Sequence, residues 1–343
     1  MAVIAPPKLA FDLWQPSTNK DQNAEDYFDE DLTQTHLTTG VKAIDTALEG
    51  GFDYGVVHCI TSSADAGTKE LIQGLVSSHI RTSSRASATV IDSTMSFDVR
   101  RLYQVLQASM KDASEQETLE VLDRVKITKV FDNVGAVEAL AEVEERAKVD
   151  GAAATAPQQA AVPKSTIEDS DEEDDMLDSP PKLNQAATEA SPVDALSTTP
   201  PGGILIIDNI SQLFQPIIKN NYVHGQALLS QFLRTVTLLT RRHELCTVIL
   251  SSASNKPASR DERMSLFESC DVRPALGDEL GYLVDVHLYL HQMLAKRLEG
   301  TRVQGRYPQK VNMLEVVSDR VRGRYGRYAA FSCTADGTLD DVP

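Results

Sequence analysis

Val56-Val57-His58-Cys59-Ile60-Thr61, followed by Ser62-Ser63-Ala64-Asp65-Ala66-Gly67-Thr68-Lys69 and then Glu70 to Ile80, is the stretch that decides the fold. The β-branched run predicts a short strand, the small residues a loop, and the amphipathic segment a helix. Loop amides and a helix N-terminus then converge, which is the layout that holds a phosphate. The working pattern is Gly, four residues, Gly, Lys, then Ser or Thr. Here Ser62 stands at the first Gly, Gly67 is in place, and Thr68 and Lys69 are transposed. Transposition turns each side chain by about 100° around the helix. Lys69 can bend back toward a phosphate, but Thr68 cannot hold Mg²⁺ in the usual geometry. The stretch predicts a nucleotide-site scaffold whose chemistry has decayed. Taken alone it fits an ordinary strand-to-helix turn equally well.

Outward from this loop, strands alternate with helices. Ala88 to Asp92 predicts a second strand, followed by Ser93-Thr94-Met95-Ser96 and a helix from Phe97 to Met110. Val125 to Val130 predicts a third strand and Val134 to Val149 a helix. Such alternation implies right-handed β-α-β units and a mainly parallel sheet. Ile204-Leu205-Ile206-Ile207-Asp208 is a strand buried on both faces. Its carboxylate lies at the C-terminal end, where ligands bind in such sheets. A long helix from His224 to His243 and a buried strand from Cys246 to Ser251 follow. Val284 to Leu290, Val311 to Val317 and Arg327 to Cys333 predict three strands that finish the sheet in antiparallel fashion. Ahead of the loop, Val41, Ile44 and Leu48 share a helical face, and Gly50-Gly51 stops that helix.

The net charge of −17 over 343 residues is unevenly spread. Residues 151–203 carry −8 and residues 1–35 carry −5, which leaves −4 for the rest. The folded part is mildly acidic and is no globally basic nucleic-acid binder. Residues 1–35 read as a flexible acidic arm in which Phe11 and Trp14 can anchor a partner; Trp14 packing back on its own domain is an equal reading. Residues 151–203 read as a disordered acidic insertion between core parts 36–150 and 204–335, and residues 336–343 as a tail. Cys59, Cys246, Cys270 and Cys333 show no regular spacing, so no metal-ligand set or disulfide framework is expected. No apolar run reaches membrane-spanning length, and a soluble intracellular protein is expected.

At this point an ordered set of residues resembles a known family. The set is Leu37-Thr38-Thr39-Gly40 with Asp45, Leu48 and Gly50-Gly51; the degenerate loop; Val90-Ile91-Asp92-Ser93; Ile204 to Asp208; and Arg273-Pro274-Ala275-Leu276-Gly277. It resembles the core of the eukaryotic RecA-type strand-exchange recombinase paralogues. The likeness is strongest to the D-type branch, as a divergent fungal-like member, through Ile207 to Ile218 and Val130-Phe131-Asp132. The resemblance covers roughly residues 36–335.

The resemblance implies an α/β fold: a RecA-like P-loop NTPase core with a mainly parallel twisted sheet, flanking helices and antiparallel strands at the C-terminal edge. It implies a degenerate nucleotide site at Ser62, Gly67, Thr68, Lys69 and Asp208 that takes ATP and Mg²⁺ weakly. In the family a water-activating glutamate follows the second strand. Thr94 stands there, and a threonine is no base at neutral pH. The polar segment after the long helix is here Ser251-Ser252-Ala253. No catalytic residue carries over, and little or no ATP hydrolysis is expected. Two loops, about 214–226 and 254–274, would face single-stranded DNA. The first offers Lys219, Asn220 and Tyr222, the second Lys256, Arg260 and Arg263. Arg320, Arg322 and Arg324 form a more basic set, facing the nucleotide, a neighbouring subunit or DNA. The implied role is a nuclear subunit of a complex that loads or stabilises the strand-exchange recombinase on single-stranded DNA. Partners would be other recombinase paralogues and that recombinase, with no membrane. An active DNA-stimulated ATPase and a RecA-like scaffold in another pathway are the alternatives, since fold does not fix function.

Overall fold

A computed structural model describes residues 35–110, 113–155, 202–254, 264–270, 272–294, 310–334 and 336–342, with only the backbone given for 150–155. Phe11, Trp14, Lys256, Arg260, Arg263 and most of the expected insertion lie outside the described residues. The described residues belong to the unit Thr33–Pro343.

The sheet is built on β3 (Val57–Ser62), β4 (Ala88–Asp92), β5 (Val125–Lys129), β6 (Ile204–Asp208), β7 (Cys246–Ser252) and β8 (Val286–Leu294). These pair in parallel in the order β5-β4-β6-β7-β3-β8. β9 (Lys310–Asp319), β10 (Tyr328–Cys333) and β11 (Leu339–Asp341) extend the sheet in antiparallel fashion beyond β8. The fold is therefore α/β, with a mainly parallel sheet and antiparallel C-terminal strands. Two expectations change. The strand beginning at Val286 is parallel to β3 rather than antiparallel. The expected tail contains β11, whose Asp341 carboxylate accepts the Lys42 and Ala43 amides.

Period-two alternation divides the strands between two cores. Val90, Ile204 and Ile206 face one side, with Leu71, Leu75, Leu102 and Leu106 from α2 (Thr68–Thr82) and α3 (Val99–Ser109). Ile91, Leu205 and Ile207 face the other, against α5 (Asn133–Thr155), α6 (Ile210–Asn220) and α7 (Tyr222–Arg242). Preceding these, α1 (Lys42–Ala47) lies between β1 (His36–Leu37) and β2 (Phe52–Asp53), and α4 (Glu115–Leu122) opens on a capping box between Ser114 and Glu117. The short α8 (Leu280–Leu283) precedes β8.

The expected 214–226 loop is instead the end of α6, a one-residue corner at Asn221 and the start of α7. Pro216 lies inside α6. Its missing amide costs about 3 kcal/mol in a helix interior, which burial of Ile210, Leu213 and Phe214 against Leu229 and Phe232 offsets. Gly225 makes the corner tight, since a Cβ there would lie 2.6 Å from Ile218 Cγ1.

Arg324, in the turn after β9, joins the small β1–β2 sheet to the large one. Its side chain is buried, donates to Asp53 at 2.8 Å and to the Leu48 carbonyl at 2.6 Å, and pairs with Asp319. Arg322 reaches the same Asp53 at 2.9 Å, and Arg320 donates to the Val284 carbonyl at 3.1 Å. The expected basic set is corrected at Arg324, which is inaccessible; Arg320 and Arg322 stay exposed while each also makes an inward bond. Gly51 completes the junction with a φ of +122°, at a point where a Cβ would fall 2.2 Å from the Leu37 carbonyl oxygen.

Removing one member of a buried ion pair leaves an uncompensated charge, so Arg324→Ala is expected to cost about 3–5 kcal/mol in urea unfolding. Burial alone would raise the Asp53 pKa, but the His58 imidazole and the Arg324 guanidinium overcome it and hold the group at about 2. Because this pKa lies below its ordinary 3.8, the stabilisation is complete above that value and is lost as pH falls through about 2. Wild type should therefore lose more stability than Asp53→Asn over that acid range.

Candidate functional site

At the C-terminal ends of β3 and β6, a cavity of about 670 Å³ is lined by Ser62, Gly67, Thr68, Lys69, Thr94, Asp208 and Asn312, among others. It collects the whole expected nucleotide set. β3 ends at Ser62 between Ser252 and Leu290 of its parallel neighbours, so the loop leaves the sheet at its centre. Ser62 does not take the left-handed turn that a first glycine would allow; Asp65 does, with a φ of 60°. The Gln292 side-chain amide donates to the Asp65 carbonyl at 2.6 Å and holds the loop from β8.

Gly67 is required twice over. Its φ is +81°, and a Cβ would lie 2.8 Å from Asn312 Nδ2 and 2.9 Å from Cys333 Sγ. The chain passes from this left-handed residue directly into α2, so the first free amides of a 15-residue helix and the positive end of its dipole lie at the cavity wall. Lys69 is exposed at the second helical position, on the same cavity as Asp208.

The register of β4 and β6 sets Asp92 directly beside Asp208. Asp92 is fully buried and accepts the Thr94 amide at 3.0 Å, the Thr94 hydroxyl at 2.9 Å and the Phe97 amide at 3.1 Å. Its carboxylate is committed to the turn that follows β4. The Thr94 oxygen also lies 3.4 Å from Asp208 Oδ2 and 2.8 Å from Ser96 Oγ. The position expected to carry a base thus bears a hydroxyl that bridges two carboxylates. Burial raises the Asp208 pKa to about 6, reinforced by Asp92 and opposed by the Thr94 hydrogen bond and the Lys69 ammonium. Asn209 donates to Ser252 Oγ at 2.9 Å, and Ser251 shares a 3.1 Å hydroxyl contact with Ser211. The Ser251-Ser252 pair is therefore bonded to the start of α6.

Lys219, Asn220 and Tyr222 come together at the exposed α6–α7 corner. They form a surface separate from the cavity lining, and the Tyr222 hydroxyl lies 3.4 Å from Glu279. Sequence reasoning missed Gln292, Asn312 and Cys333, which β8, β9 and β10 carry to the loop. Asn312 donates to Cys333 Sγ at 3.3 Å, and Gln292 to Asn312 at 3.3 Å. Their strands were legible, but no motif marked these side chains.

A carboxyl whose pKa is raised from 3.8 to about 6 destabilises the fold at neutral pH, where it must ionise beside Asp92. Stability from this group is complete below 3.8 and lost as pH rises through about 6. Asp208→Asn is expected to raise thermal stability at pH 7.5 by about 1–2 kcal/mol. The gain should shrink on acidification and disappear below 3.8; melting curves at several pH values measure it, and a pH-independent gain contradicts the assignment.

No family model matches the chain. Among curated proteins, it is 21% identical over 269 residues to DNA repair protein RAD51 homolog 4 of Bos taurus, an alignment that covers 78% of this chain and 65% of that protein. The chain thus spans about two-thirds of the curated relative's length, 65% by the alignment. Among solved structures, the RadB recombinase crystal structure matches with a TM-score of 0.51 and 18% identity, over 90% of this chain and 100% of that one. The sequence match marks a distant relationship to the RAD51/RadB recombinases, and the structural match shows that the chain shares their RecA-like fold.

Proposed function

We propose that this chain is a recombinase paralogue whose nucleotide site binds without efficient hydrolysis. It acts in homologous-recombination repair in the nucleus, as a subunit that loads or stabilises the strand-exchange recombinase on single-stranded DNA. The observation that carries the reading is the bonded knot of Asp92, Thr94 and Asp208 beside the loop cavity where Gly67 leads into a helix N-terminus. Hydrolysis needs a positioned base to orient water, and Thr94 offers none. The distant relationship to RAD51-type proteins supports the pathway, while the exposed Lys219, Asn220 and Tyr222 corner supports a single-strand contact through a phosphate partner and a stackable ring. Other recombinase paralogues are the proposed partners.

A nucleotide triphosphate fits the cradle: α2 directs its first amides there, and Lys69 supplies a cation. Bound magnesium would normally neutralise the phosphates in such a site. The residues present fit that ion poorly. An ammonium stands where the metal-binding hydroxyl belongs, and Thr68 is displaced from that position. Lys69 is therefore assigned to phosphate neutralisation in place of the ion, through its own charge.

Thermal stability of the purified chain titrated with ATP, in Mg²⁺ or in EDTA, tests this. Saturation at a hundred times the dissociation constant adds about 2.7 kcal/mol. The expected result is a shift in both conditions, lost in Gly67→Asp and reduced in Lys69→Ala, without phosphate release when DNA is added. A shift that requires Mg²⁺ and accompanies DNA-stimulated turnover would establish the active-ATPase reading instead. A recombinase filament on single-stranded DNA whose lifetime is unchanged by the chain and its co-purifying partners would move the protein to another pathway.

A further inference from the structure

On the face of β8 and β9 turned away from the loop of Gly67, Cys270, His291 and Glu315 meet in the interior. Each is almost completely buried, with 2%, 3% and 1% of its surface exposed, respectively. One donor atom from each lies within 4.8 Å of the other two. His291 and Glu315 are diagonal neighbours on adjacent strands, because Tyr289 pairs with Glu315 and His291 with Met313. Cys270 comes from the segment 264–270, which packs over them.

A second observation concerns the imidazole. Neither ring nitrogen of His291 makes a hydrogen bond of ordinary length among the described residues; the polar groups that face it are the Cys270 thiol and the Glu315 carboxylate. A buried ring nitrogen without a partner is costly, and one that stays unpaired calls for an explanation. His291 Nε2 lies 3.8 Å from Glu315 Oε2, too far for a hydrogen bond. Two ligands on one tetrahedral ion with bonds of about 2.0–2.3 Å stand about 3.3–3.8 Å apart. Glu315 is already oriented: the Leu266 amide donates to Oε1 at 2.6 Å, and the Ser265 hydroxyl donates to Oε2. Such outer hydrogen bonds fix the direction of a ligating carboxylate. Val272, Tyr289 and Phe267 supply an apolar surround.

We propose that Cys270, His291 and Glu315 bind one divalent metal ion of borderline softness, Zn²⁺ by their donor set. One sulfur, one imidazole nitrogen and one carboxylate oxygen suit zinc, whereas calcium and magnesium take oxygen shells. Three protein donors leave one tetrahedral position for an exogenous ligand. The ion joins the 264–270 segment to two adjacent strands, so its effect is to fasten that segment to the sheet. This site is independent of the nucleotide reading.

The test uses the full chain, stripped with chelator and titrated with Co²⁺ as a spectroscopic probe. The expected result is a tetrahedral visible band and a thiolate-to-cobalt charge-transfer band, both saturating at one equivalent and abolished by Zn²⁺. Cys270→Ser should remove the charge-transfer band, Cys333→Ser should keep it, and His291→Gln should weaken binding by at least about tenfold. No band, or one that survives Cys270→Ser, overturns the proposal. If Cys270→Ser does not fold, X-ray absorption on the zinc-loaded wild type decides. One sulfur at about 2.3 Å with lighter neighbours at about 2.0–2.1 Å supports the site, and a shell without sulfur overturns it.

Discussion

Two carboxylates side by side on adjacent parallel strands constrain everything built around this cavity. The β4–β6 register leaves Asp92 and Asp208 no separation along the strand direction. Burial, reinforced by Asp92, raises the Asp208 pKa. The chain resolves this asymmetrically. Asp92 receives backbone amides from its own turn, so it is bonded locally. Asp208 keeps a raised pKa and depends on Thr94 and Lys69. The same geometry could serve a metal, whose charge would settle both acids. Here a threonine hydroxyl lies between them, and the exposed Lys69 ammonium lines the same cavity. Lys69 of the transposed loop and the threonine after β4 thus act on one carboxylate, both opposing the rise in the Asp208 pKa.

A comparable logic governs the junction at Arg324. A single guanidinium joins Asp53, Asp319 and the Leu48 carbonyl, so the small β1–β2 sheet depends on a turn far along the chain. Arginine suits the position because its fork offers several fixed donors and its charge persists on burial. The basic sequence around it looks like a surface patch only because composition does not record which charges find an acid. Of the acids that neutralise Arg324, Asp319 is five residues away, but Asp53 in β2 is brought to it only by folding.

That contrast explains what could be read in advance. The parallel strands were legible because continuous apolar runs such as Ile204 to Ile207 have few other places to go. The loop at Gly67 was legible because strand, small residues and helix follow one another locally. α4 carried a readable start signal, the serine and glutamate of its capping box, but its short length left no periodicity to support it. α6 was hidden by Pro216 and by Asn220-Asn221, which locally signal a turn; tertiary burial overrides them. β11 is three residues long and has no pattern at all. Gln292, Asn312 and the Cys270, His291 and Glu315 group depend on strand register, which no local motif encodes. Cysteine spacing in particular cannot reveal a ligand set in which cysteine is only one of three donors.

The β8–β9 pair carries residues of both the Gly67 cavity and the buried Cys270, His291 and Glu315 group. Successive side chains on a strand point to opposite faces. Gln292 and Asn312, paired in register, therefore reach the Gly67 loop, while His291 and Glu315 reach the buried trio on the other face. The Asp65 carbonyl and the Leu266 amide are thus held by Gln292 and Glu315 of one strand pair, from opposite faces. A displacement of either strand along its axis cannot move one site alone. The ion proposed between His291 and Glu315 would act on the same strand pair that sets Gln292 against Asn312. Coupling between the two sites requires no conformational pathway through the core, because the shared element is a single hydrogen-bonded strand pair.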